Sequence, residues 1–169
     1  MATKTRYTQV RGHCQELVAT LRLPGMCNAE EFADAVGRRT RTKVQLLPLR
    51  LPQACPALWL GFTGADRLGY NTDWPAHEIS LAGHAFGHLA LGHCDQVRDG
   101  GQFACTTGRL GRDDRGLLRQ HLHDPAISRV FSDGEEYAAT VFARVLAESL
   151  GIRSGPPDSH GMTALTCIG

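Results

Sequence analysis

With 169 residues the chain fits one domain, which can bury roughly two thirds of the surface its unfolded form exposes. A hydrophobic content of 42% beside 21% charge excludes a disordered chain, and a formal net charge of +1 argues against nucleic acid or a membrane surface as the main partner. The N-terminal stretch MATKTRYTQVRGHCQELV has no apolar core of a signal peptide, and no run approaches the roughly 18 apolar residues of a membrane span. A cytoplasmic location is expected. The six cysteines (Cys14, Cys27, Cys55, Cys94, Cys105 and Cys167) form no CxxC pair and read as buried or idle thiols in a reducing compartment. Arginine supplies nearly all the positive charge, and Arg38, Arg39 and Arg41 could make a local basic patch.

In chain order, Val10, Cys14, Leu17, Val18 and Leu21 recur at helical spacing and predict a first helix over 7–23, ended by Pro24-Gly25. Asn28 followed by Glu31 is a capping-box start for a second helix ending near Gly37. The period then changes. Segments 43–51 (KVQLLPLRL), 57–64 (ALWLGFTG) and 67–73 (RLGYNTD) read as strands, with a hairpin turn at 64–66. Asp73 suits an N-cap with Pro75 in the first turn, opening a helix to about His93. Residues 95–112 read as an exposed loop, 113–123 as a short helix, and Ser132 with Glu135 as the capping box of a helix stopping at Gly151. This order predicts a compact α+β domain over 1–152, with helices on a small antiparallel sheet and a loose Pro/Gly/Ser-rich tail over 153–169.

Chemistry concentrates in GHAFGHLALGH, residues 83–93. On a helix, His84 and His88 project from one face a turn apart and can converge on one ion. Such a pair also arises by chance in a chain with eight histidines. A glycine before the second histidine, strands upstream and a glutamate-bearing helix downstream favour the metal. His77-Glu78 is a decoy, because Leu81 stands where the second histidine of that frame belongs. A zinc-protease helix carries its general-base glutamate immediately after the first histidine, and here Ala85 stands there.

His93 lies nine residues past His84, about 180° around the helix, which suits a role behind a ligand or at the helix end rather than ligation. Leu91 and Cys94 occupy the positions where a metzincin has its glycine and third histidine. The better third ligand is Glu136 from SDGEEYAATVFARVLAES. There Tyr137, Val141, Phe142, Val145 and Leu146 form the core stripe, and Glu136, Ala139, Thr140 and Ala143 an adjoining face of small residues. Such a face lets this helix approach the histidine helix closely. The alternative for Glu136 is a solvated first-turn acid favoured by the helix dipole. Glu135 turns about 100° away, toward its capping role.

These two segments resemble the ImmA/IrrE-type zinc metallopeptidases. AGHAFGHLALGH is similar to that family's HExGH-LxLGH helix with Ala85 for its glutamate. EEYAATVFARVLAES is similar to its ExxANxFAxxLL helix, with Thr140 for the usual asparagine and no LLMP ending. The resemblance covers about residues 28–150 and is specific only in the two helices. It implies a zincin-like α+β fold, a Zn2+ ion held by His84, His88 and Glu136, and cleavage of a protein substrate, a repressor-type transcription regulator, with no direct nucleic-acid or membrane binding. It further implies that a strand holds the substrate extended, for which Leu58, Leu60 and Phe62 of ALWLGFTG are the candidates. Tyr70, His121 and His123 are candidates for stabilising the oxyanion.

An alanine at position 85 removes the group that takes and returns the proton, which typically costs 10²–10⁴-fold in rate. Glu78 is no substitute, six residues before His84 and about 120° around the helix. The chain is therefore expected to bind zinc and be catalytically inactive. Two histories fit: an engineered glutamate-to-alanine change, or a natural pseudoprotease acting as a zinc-stabilised regulatory, protein-binding module. The undamaged remainder of the motif favours a silenced enzyme.

Overall fold

The structure is a computed structural model that describes residues 2–23, 25, 27–62, 64–74, 78–95, 101–105, 112–118, 120–121, 131–157 and 163–166. Its elements are α1 (Ala2–Leu21), α2 (Ala29–Thr40), β1 (Lys43–Leu49), β2 (Ala57–Phe62), β3 (Ala65–Asn71), α3 (Glu78–Ala90), β4 (Gln102–Cys105), α4 (Arg112–Leu118), α5 (Asp133–Ser149), β5 (Arg153–Pro157) and β6 (Thr163–Thr166).

The fold is α+β, but the sheet is mixed rather than antiparallel. Its strand order is β1-β3-β2-β4, with β1 parallel to β3 and the other pairs antiparallel. The reason lies in the connection over residues 50–56. Asn71 is buried, and its amide nitrogen donates to the carbonyls of Leu51, Pro52 and Cys55 while its amide oxygen accepts from Leu51 N–H. This clasp carries the chain past one strand position, and the β2–β3 hairpin then folds β3 into the gap beside β1. Phe62 pairs with Ala65, so the hairpin turns just before the expected 64–66, with Gly64 at φ +74°.

Strand alternation divides the core in two. Ala57, Trp59 and Leu68 face the main cluster with Phe32, Val36, Phe86, Phe142 and Leu146 of α2, α3 and α5. Leu58 faces the other way, into a smaller cluster with Leu51, Cys55, Ala104 and Leu118. β4 arises inside the stretch expected to be an exposed loop, because Phe103 and Ala104 find burial against β2. The helix expected over 113–123 spans Arg112–Leu118.

Both capping boxes form, at Asn28 with Glu31 and at Ser132 with Glu135. α2 continues past Gly37 to Thr40, ending where Arg41 turns left-handed at φ 59°. Asp73 is not the cap of α3. Its N–H donates to the Asn71 side chain in the turn that closes β3, and α3 starts at Glu78. That helix stops at Ala90, short of His93, because Gly92 at φ +77° closes a Schellman turn: His93 N–H donates to the His88 carbonyl and Gly92 N–H to that of Leu89. Tyr137, expected in the core stripe of α5, is instead exposed. Beyond Ile152, β5 and β6 pair antiparallel within the segment expected to be loose. No helix among the described residues is long and apolar enough to cross a membrane.

Candidate metal centre

α3 and α5 cross with little between them. A Cβ on Gly87 would meet the Cα and carbonyl oxygen of Ala139 at 3.2 Å, and one on Gly83 would meet Leu146 Cδ2 at 2.9 Å. The missing side chains at Gly83 and Gly87, set against the small Ala139 and Ala143, permit this approach. It carries Glu136, four positions into α5, over the histidine face of α3. Thr140, grouped with that small face, is exposed and its hydroxyl donates back to the Glu136 carbonyl.

Three side chains meet there. His84 Nε2 lies 3.1 Å from Glu136 Oε2, His88 Nε2 lies 3.3 Å from His84 Nε2, and His88 Nε2 lies 3.7 Å from Glu136 Oε2. The donor atoms of the three residues fall within 4.8 Å of one another, a group that could hold a metal ion. The side chains of His84 and Glu136 keep 13% and 39% of their exposure while His88 has none, so the cluster opens to solvent on the glutamate side.

The electrostatics suit a cation. Burial lowers the pKa of His88, an effect reinforced by the charges of His84 and His93 and opposed by Glu136. The ring is thereby kept neutral with a lone pair to give. Burial works against ionisation of Glu136, yet hydrogen bonds and charge from both histidines override it and bring the carboxyl down to about 2. Compared with known proteins, the chain matches no protein-family model, no curated protein and no solved structure. The centre therefore stands on its own geometry.

His88 is the most enclosed of the three. Its ring stacks on Phe131 with centroids 3.7 Å apart and packs edge-on to Phe103 at 5.7 Å. Its Nδ1 lies 3.0 Å from Nδ1 of His93. Neither aromatic was singled out from sequence, although Phe131 stands one residue before the Ser132 cap and five before Glu136. Ala85 is fully buried in the main core.

The other candidates lie elsewhere. Leu58 is buried in the smaller cluster and Leu60 packs against it, on the sheet face away from α3. Phe62 is exposed, with the Arg67 guanidinium 4.9 Å over its ring. β2 is paired to β3 on one side and, over Ala57–Leu60, to β4 on the other, so its backbone there offers no edge to an added strand. Tyr70 is half-buried on β3, in register between Pro48 and Ala57. His121 follows α4, its N–H bonded to the Leu118 carbonyl. His77 and His123 lie outside the described residues.

Proposed function

We propose that this chain is a zinc metallopeptidase domain of ImmA/IrrE type, zincin-like in fold and silenced at Ala85. It binds Zn2+ and a protein substrate, a repressor-type transcription regulator in the cytoplasm, without efficient turnover. The observation that carries this reading is the convergence of His84, His88 and Glu136 from two helices.

The donor spacing supports zinc. Tetrahedral bonds of about 2.0–2.1 Å put neighbouring donor atoms roughly 3.3–3.4 Å apart. The three separations here are 3.1, 3.3 and 3.7 Å. Two imidazole nitrogens and one carboxylate oxygen are a ligand set that catalytic zinc accepts, with a fourth position open. When bound, zinc supplies Lewis-acid activation of water and of a peptide carbonyl. The chain's own residues do the rest: buried His88 offers a neutral ring, Glu136 brings the negative charge, and His84 borders the open side. By the resemblance, Ala85 takes the position of the proton-carrying glutamate, and its methyl group can neither accept a proton from water nor give one to a leaving amine. An extended peptide fits better at β4 than at β2. β4 is the end strand of the sheet order, and its Phe103 packs edge-on to His88.

One observation favours a second reading, a natural zinc-stabilised regulatory module that binds protein without cutting it. Ala85 has no exposure at all, so a glutamate there must displace core neighbours. The variant Ala85→Glu separates the two. Under the first reading the zinc-loaded variant cleaves a co-expressed regulator, and a chelator stops it. A folded, zinc-loaded Ala85→Glu that cuts no regulator encoded alongside it overturns the peptidase reading and leaves the module.

A further inference from the structure

His93 is tied to His88 twice. Through the backbone, the Schellman turn at Gly92 bonds His93 N–H to the His88 carbonyl at 2.9 Å. Through the side chains, the two Nδ1 atoms lie 3.0 Å apart. Two hydrogen bonds close the six residues from His88 to His93, which fixes where the His93 backbone sits relative to His88. Phe131 stacks on His88 and Phe103 packs edge-on, so the ring pair lies behind an aromatic wall, and His88 meets no solvent.

Proton placement then has one solution when His88 is a ligand. A neutral imidazole carries one N–H. If Nε2 gives its lone pair toward His84 and Glu136, the proton sits on Nδ1. Nδ1–H must donate to His93 Nδ1, which accepts, and His93 keeps its own proton on Nε2. The reverse direction would put the proton on His88 Nε2 and close the site to metal.

We propose that His93 is the positioning residue of the centre, fixing the tautomer and ring angle of His88 by accepting its Nδ1–H. This rests on the zinc reading above. His93 does not touch the metal position, and acts through His88. Groups that hold the far nitrogen of a ligand histidine typically strengthen metal affinity by about 10–100-fold.

The test uses the full chain and three measurements. Zinc affinity, read by competition with a chromophoric chelator, should fall about 10–100-fold in His93→Ala. It should stay within about threefold of the parent in His93→Asn, whose amide oxygen lies near the position of Nδ1 and can accept the same proton. In the zinc-loaded parent, 15N NMR should show His88 protonated at Nδ1, with a coupling across the hydrogen bond to His93 Nδ1. The NMR measurement needs no variant, so it decides even if His93→Ala does not fold. Zinc binding unchanged in His93→Ala, an Asn variant as weak as the Ala variant, or His88 protonated at Nε2 overturns the proposal and leaves the zinc site standing. A parent that binds no zinc overturns both.

Discussion

Around Asp66 both carboxyl oxygens have met a donor. The buried carboxylate accepts from Trp59 Nε1 at 3.1 Å and from the Thr42 hydroxyl at 2.7 Å, and Thr42 is bonded on to Thr40. Around His84, His88 and Glu136 the arrangement is the opposite. Three atoms with lone pairs crowd within 4.8 Å, two of them from rings whose outward nitrogens cannot both be protonated comfortably against each other. The first cluster is closed and ties the end of α2 to β2 and β3. The second is a group that could hold a metal ion. Buried polarity alone does not distinguish the two; what distinguishes the second is three possible metal-donor atoms facing one another across a few ångströms.

The comparison breaks if the two clusters respond alike. The largest expected effect is on ligation. Zinc at a hundredfold excess over its dissociation constant should stabilise the parent by about 2.7 kcal/mol. Thermal melting with and without zinc should show this shift in the parent and none in His88→Ala or Glu136→Ala. Next is Asp66→Ala, which leaves the buried Trp59 N–H without its acceptor, at roughly 1–3 kcal/mol. Denaturant melts should report that loss while zinc binding by the same protein is unchanged. A zinc shift that survives His88→Ala, or zinc lost in Asp66→Ala, would erase the distinction.

The smallest effect is the pH response of the metal-free chain. Both shifted groups have folded-state pKa values below their unfolded ones, from 6.5 for His88 and from 4.5 to about 2 for Glu136. The unfolded state therefore takes up protons first as the pH falls. The stabilising contribution of neutral His88 is present above 6.5 and declines below it, and that of ionised Glu136 is present above 4.5 and declines toward 2. Melting temperature measured in chelator should fall on acidification through these ranges, and the upper part of that fall should be absent in His88→Ala.

What could be read from sequence was local. The two capping boxes are encoded in three-residue spacings, and the histidine pair in a four-residue spacing. The meeting of Glu136 with that pair was legible because Gly83, Gly87, Ala139 and Ala143 announce a close crossing on both helices. What depended on distant pairing was hidden. β4 is four residues in a Gly/Asp-rich stretch, and its pairing with β2 makes it a strand. The parallel β1–β3 pair follows from the Asn71 clasp, which a lone asparagine at a strand end does not signal. With β4 in place, β2 has no free edge over Ala57–Leu60, which the run ALWLGFTG alone does not signal. His93 fell out of helical register because Gly92 ends the helix, and the same turn brings it back behind His88.

Zinc stoichiometry separates a metal centre at His84, His88 and Glu136 from a chance meeting of three side chains. The chain and Glu136→Ala should be stripped with chelator, reloaded with zinc, desalted and measured by elemental analysis. About one zinc per chain is expected in the first and none in the second. A folded parent that retains no zinc, or equal zinc in both proteins, contradicts the metal centre.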